Sequence, residues 1–328
     1  MRRGAALAVA AAAGVTWAAG ATGCSGPGKR VVSAEAPSPA PVLPADRILA
    51  LLPQGAQLVV ELDLARLRSN PVIGEVVTRA LSGGVPLPGA AAASAGAAGA
   101  AGSPPPPPPP LLAADVLVLA AFGVGTTAAA TVTLLAGKQP IPDAARVAEG
   151  IYAIGPEEWT AQLAQRGAML DTEGLIRAQP ELIALRDRAM PPKAPGASLR
   201  VTAQLSFDAR VALARQTGLE AAPAQLSIWG DVVDDLVIVV EADAADPGDR
   251  RGKQATARLE AALRGALASL AAEPAVAALG LPRSLTGAKL AVRGTWIRAI
   301  IAVGPEHLRR VAARASALLP AVPPKAAP

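Results

Sequence analysis

Apolar residues along this chain fall into short alternating runs separated by helical spacings. Positions 57–62 (QLVVEL) predict a strand. Asp63 stands where a helix N-cap belongs, and Leu64, Leu67, Val72 and Val76 share one helical face. A first helix therefore runs through LARLRSN, and Pro71 restarts a second that reaches Leu81. Residues 116–137 carry no charge and are long enough to suggest a membrane span. Gly123, Gly125, Thr126 and Thr127 interrupt them with turn chemistry, which predicts a hairpin of strands 115–122 and 128–136. A short strand at 150–154 follows. Gly155-Pro156-Glu157 then opens a helix to about Gln165, and a further helix is expected over 180–190.

The same plan returns in the second half. Strand 201–207 runs into Asp208-Ala209-Arg210, as 57–62 runs into Asp63-Leu64-Ala65-Arg66. Strands 225–232 and 236–242 form a hairpin, a long amphipathic helix covers 248–272, and strands 288–294 and 296–303 form another hairpin. Gly304-Pro305-Glu306 opens a last helix to about Leu319. The echo is most specific between AIGPEEWTAQLA at 153–164 and AVGPEHLRRVA at 302–312. The expected fold class is α+β: two tandem repeats of antiparallel sheet packed with helices, over 46–190 and 197–320. One shared sheet and two separate domains both fit this pattern. Residues 321–328 read as a disordered tail.

Two segments stand outside the plan. Residues 83–110 are an Ala/Gly-rich stretch ending in seven prolines, 104–110. The proline run has the composition of a stiff polyproline II spacer; docking to a proline-reading groove is the rival reading. At the N-terminus, Arg2 and Arg3 precede an uncharged Ala-rich stretch, which leads to Ala21-Thr22-Gly23-Cys24. Charge, apolar stretch and small residues before a cleavage point make residues 1–23 a signal peptide. The segment resembles the signal peptide of bacterial lipoproteins, whose motif reads Leu-(Ala/Ser/Thr)-(Gly/Ala)-Cys; Thr22, Gly23 and Cys24 fit it, and Ala21 stands in place of Leu. The resemblance implies a mature chain that begins at a lipidated Cys24. Residues 24–45, rich in Pro, Ser, Gly and Ala, would tether the body above the membrane. Ser25 after the cysteine implies outer-membrane sorting, with the body facing the periplasm. An ordinary secreted protein is the alternative location.

Composition excludes several chemistries. Among 328 residues there is one His and one Cys, and 2% are aromatic. One chain therefore supplies no histidine-rich metal site, disulfide framework, CxxC motif or iron–sulfur ligand set. The core has to be built from Ala, Val, Leu and Ile. Charge is segregated: residues 24–249 carry 16 basic and 23 acidic groups, residues 250–328 carry 13 and 3. The basic part could pair with the acidic stretch 231–249, contact anionic lipid, or present a solvated face. No aromatic platform accompanies it, so nucleic acid is not an expected partner.

Candidate chemistry is sparse. Asp231, Asp234 and Asp235 offer oxygen ligands of the kind Ca²⁺ prefers, but WGDVVDDL lacks EF-hand spacing and acids at a hairpin turn are turn formers. His307 lies in the first turn of a helix with no nucleophile elbow anywhere in the chain. Glu157-Glu158 fits the start of a helix, and Trp159, Trp229 and Trp296 fit core packing or the rim of a pocket. No catalytic residue, metal or cofactor is expected. The reading is a lipid-anchored envelope protein that binds or scaffolds a partner protein or envelope component without catalysis. A carboxylate-dependent envelope hydrolase and a carrier of an apolar ligand are the alternatives. Labelling cells with an alkynyl fatty acid is expected to tag the wild-type protein and to leave Cys24→Ser untagged and released from the membrane fraction.

Overall fold

The alternating runs become the strands of one antiparallel sheet. A computed structural model describes residues 44–82, 109–173, 180–244 (apart from 193, 195, 218 and 220) and 252–319. The leader, Cys24, most of the tether, most of the Ala/Gly/Pro insert and the C-terminal tail lie outside these residues. In chain order the elements are α1 (Pro44–Leu51), β1 (Leu58–Asp63), α2 (Leu64–Ser69), α3 (Gly74–Ser82), α4 (Pro110–Ala113), β2 (Val116–Phe122) and β3 (Ala130–Ala136). Next come β4 (Ala145–Ala148), β5 (Ile151–Ile154), α5 (Glu157–Glu173), α6 (Pro180–Asp187), β6 (Leu199–Gln204), α7 (Phe207–Thr217), β7 (Gln225–Val232) and β8 (Leu236–Asp243). The chain closes with α8 (Gly252–Ala272), α9 (Pro274–Leu279), α10 (Pro282–Thr286), β9 (Lys289–Arg293), β10 (Trp296–Val303) and α11 (Pro305–Leu318).

The fold is α+β, and among the described residues ten strands run in the order β4-β5-β3-β2-β1-β6-β7-β8-β10-β9. Counted outward from the centre, the first half runs β1, β2, β3, β5, β4 and the second β6, β7, β8, β10, β9. The two halves thus present their strands in matching order. They meet where β1 pairs with β6, from Leu58 opposite Ala203 to Leu62 opposite Leu199. One continuous sheet, not two separate ones, joins them.

Register defines two faces. The front carries a row from Ala153 through Leu134, Val118, Glu61, Arg200, Trp229 and Val239 to Ile300. The back carries Thr133, Leu119, Val60, Val201, Ile228, Val240 and Ala299. On the front of the first half, Ile48, Leu51 and Leu52 of α1 and its exit pack with Leu163 of α5 against Val118, Leu134 and Ala153. On the back, Leu64 of α2 and Leu81 of α3 cover Leu117 and Leu135, while Leu259 of α8 covers Ala242 and Ile297.

Local signals explain most junctions. Asp63 caps α2, accepting a 2.8 Å hydrogen bond from the backbone N–H of Arg66. Pro305 occupies the first turn of α11 after Gly304. Three expectations need correction. Helix α1 begins at Pro44, inside the expected tether, because Pro and Asp46 open a turn whose Ile48, Leu49 and Leu51 are fully buried. Strand β4 lies where no strand was expected; its four residues pair with β5 through a register shift between Arg146 and Ala148, too short for an alternation to show. Pro110, counted with the insert, is the first residue of α4.

The two Gly-Pro-Glu helices also pack differently. Helix α5 lies on the front, whereas Leu308 of α11 joins Val232 and Val303 at the back. Helix α5 approaches β4 so closely that a Cβ at Gly167 would run into the carbonyl oxygen of Val147. Gly167→Ala should therefore lose about 1–3 kcal/mol in urea unfolding despite the helix propensity of alanine. Gly265→Ala in α8, where a Cβ meets nothing, should gain up to about 1 kcal/mol in the same assay.

Candidate functional site

The front face of the second half is polar where the first half is apolar. Its first row carries Arg200 and Trp229, beside Glu61 of β1 across the seam, and its second Thr202, Ser227, Glu241 and Arg298. A third row, at the strand ends, carries Gln204, Gln225, Asp243 and Trp296. Helix α6 lies over these rows, and its last turn supplies their partners. The Arg186 guanidinium donates to both carboxylate oxygens of Glu61, at 2.8 and 2.7 Å, and to Asp46 of α1 at 2.7 Å. Arg200 donates to Asp187 at 2.6 Å. Arg188 lies 3.8 Å from Glu241, which also accepts from Arg298 at 2.8 Å. The Ser227 hydroxyl donates to the Arg186 carbonyl and accepts from the Ala189 N–H.

Glu61 and Arg186 are both about 5% exposed, so neither charge is well solvated. Burial pushes the Glu61 carboxyl above the usual glutamate range, against the pull of the Arg186 guanidinium. Burial lowers the Arg186 guanidinium, and Glu61 and Asp46 more than reverse this. A raised carboxyl in the folded state has a definite sign. Its contribution to stability is full below the usual glutamate range and is lost as pH rises through the raised value.

Under α6, at the third row, a cavity of about 290 Å³ opens to solvent. Its walls are Glu181, Ala184 and Leu185 of α6 and Arg188 just after it, with Gln204, Gln225 and Trp296 of the sheet. The Arg188 guanidinium lies 3.5 Å from the centre of the Trp296 ring.

The back face is apolar across the seam. Leu199, Val201, Ile238, Val240 and Ala299 form a buried cluster with half-buried Leu58, Val60, Leu62, Leu226 and Ile228 around it. Every residue of this cluster is on a strand; among the described residues no helix side chain joins it. Helix α8 borders it through Leu259 and Leu263, and α2 borders it through Leu64 and Leu67.

The residues singled out by sequence fall in different places. Asp231 is buried in an ion pair with Arg66, at 2.7 and 2.6 Å, and accepts from Ser198. Asp234 and Asp235 lie in the turn between β7 and β8. Among the described residues no group of His, Cys, Asp and Glu is arranged to hold a metal. His307 sits 2.8 Å from the Gly280 carbonyl, a contact that fixes α11 against the end of α9. Trp159 stacks on Phe122 in the core, and the Trp229 indole N–H donates to Gly196. Only Trp296 of the three borders the cavity. Glu157 and Glu158 are exposed at the start of α5, and Cys24 lies outside the described residues. Among the described residues no helix is long and apolar enough to cross a membrane.

Sequence reasoning missed Glu61, Arg186, Arg188 and Arg200. One signal was present: QLVVEL and LRVTAQ each hold a single charge inside an apolar strand, and VVEAD holds two. A charge there must find a partner or remain at an edge.

No family model matches the chain, and no curated protein matches it. Among solved structures the chain is similar to "Structure of crystal form I of TP0453", with a TM-score of 0.35 and 8% identity over 81% of this chain and 96% of that one. A likeness this distant carries no argument.

Arg186→Met leaves Glu61 buried without its partner and should cost about 3–5 kcal/mol in urea unfolding. Adding Glu61→Met should restore most of that loss. The single variant should also lose stability more steeply than wild type as pH rises above the usual glutamate range, since Glu61 then ionises without its hydrogen-bonded guanidinium.

Proposed function

We propose that this is a lipid-anchored protein of the bacterial cell envelope whose body holds an apolar ligand on the back of its sheet. The anchor is Cys24, and the body faces the periplasm from the outer membrane. The observation that carries the ligand reading is the strip of Leu58, Val60, Leu226 and Ile228, packed with other strand residues and bordered by α2 and α8.

Size favours a small apolar ligand over a protein partner. From Leu58 to Leu62 the strip runs about 13 Å, and from β1 to β8 it crosses about 14 Å, at ordinary strand rise and spacing. That footprint is about 200 Å², against about 800 Å² on each side of a stable protein interface. Helices α2 and α8 border the strip on either side. A binding role also suits the front face, where Glu61, Glu241 and Asp187 are each paired with an arginine.

A polyene fatty acid whose fluorescence rises in apolar surroundings is the direct probe. The full chain should bind it saturably. Ile228→Glu, which puts a charge in the strip, should weaken binding at least about tenfold with the unfolding free energy in urea retained within about 1 kcal/mol. Unchanged binding in a folded Ile228→Glu variant would exclude the strip as the site.

A further inference from the structure

The cleft beneath α6 lies on the front, opposite the apolar strip, so it is independent of that ligand. Its polar lining is Glu181, Arg188, Gln204 and Gln225, and Trp296 closes one end. Gln204, Gln225, Asp243 and Trp296 stand opposite one another on four adjacent strands. At ordinary strand spacing the row is about 14 Å long.

The composition of this lining narrows the ligand. Each of its four polar side chains ends in a planar group with two or more hydrogen-bonding atoms. Carboxamide, carboxylate and guanidinium all match two neighbouring hydroxyls in a bidentate manner. The charges of Glu181 and Arg188 balance, so the lining is formally neutral. A phosphate would face Glu181 and find one arginine, already stacked on Trp296 and facing Glu241. A purely apolar ligand would strip water from two carboxamides without replacing their hydrogen bonds. The indole adds an apolar surface beside the polar row, which suits a ring with hydroxyls at its rim and C–H bonds on its faces. The volume, about 290 Å³, is at the small end of ligand sites and fits one or two sugar rings.

We propose that this cleft binds a neutral saccharide of one or two rings. Gln204 and Gln225 grip vicinal hydroxyls, Glu181 closes over them from α6, and the Trp296–Arg188 stack forms the end wall. The chemistry selects a polyol and does not distinguish a free sugar from the end of a longer glycan.

Saturation-transfer NMR and titration calorimetry on the detergent-extracted full chain test this with three probes: N,N′-diacetylchitobiose, cellobiose and the dipeptide Ala-Ala. At least one disaccharide should bind with a Kd of about 0.1–1 mM, and Ala-Ala should not bind in that range. Gln204→Ala and Gln225→Ala, near the cavity mouth, should each weaken the disaccharide at least about fivefold with an unchanged urea midpoint. The probe for the apolar strip should be unaffected, which separates failure here from failure of that reading. Absence of disaccharide binding at about 10 mM, binding undiminished in both variants, or preference for Ala-Ala would each overturn the proposal. If a disaccharide binds, a longer chitin oligomer that binds more tightly places the site on a glycan chain, and equal affinity places it on a free sugar.

Discussion

The contact between Arg186 and Glu61 holds this architecture in register. Glu61 is on β1, the strand at which the two halves of the sheet meet. Arg186 belongs to α6, the helix that leads from one half into the other. The next residues repeat the contact on further strands: Asp187 reaches Arg200 on β6, and Arg188 approaches Glu241 on β8. Three consecutive charges at the end of one short helix therefore address three strands on both sides of the seam. Apolar packing would hold α6 to the sheet with less desolvation cost, but it would tolerate sliding. A bidentate guanidinium–carboxylate pair at low exposure has one good geometry, and a shifted helix would leave Glu61 buried and unpaired.

Much of the sheet was legible because alternation is a local property. Strand β7 falls over the expected residues, 225–232, and β10 over 296–303. The Asp63 cap and both Gly-Pro-Glu junctions are equally local, resting on one residue's side chain or ring. What the helices cover was not legible. The matching junctions of α5 and α11 lead to opposite faces, since the destination is set by tertiary packing and not by the junction itself. The site depended on pairing between distant residues. Arg186 and Glu61 are 125 residues apart, and nothing near either one announces the other. Trp296 was recognisable as a pocket residue or a core residue, and only the position of α6 decides between them.

The charge segregation seen along the chain acquires a partial physical account. Within the acidic stretch, Asp231 turns to Arg66 in the first half, and Glu241 turns to Arg298 in the basic C-terminal part. Both pairs are side by side with apolar strand neighbours, where an unpaired carboxylate would be costly. Arg258, Arg283, Lys289, Arg293, Arg309 and Arg310 remain on exposed positions, so the excess of positive charge is at the surface of the second half. Asp231 and Glu241 of the acidic stretch thus serve packing, and the basic stretch gives the surface its sign.

The cleft follows from the length of α6. In the first half the front of the sheet is covered by α1 together with the 17-residue α5, and the space beneath is filled by Leu, Val and Ile. In the second half the corresponding strands are crossed by α6, which has eight residues. Such a helix is about 12 Å long and packs on β6 and β7. The helix reaches the first and second rows, where its charges and backbone are satisfied, and overhangs the third. A residue in that third row is roofed but not sealed, so polar side chains there keep contact with water, and Gln204 and Gln225 bear no desolvation cost until something replaces that water. Strand duplication with unequal helical cover thus leaves an open cleft on one half at the position where the other half has a core.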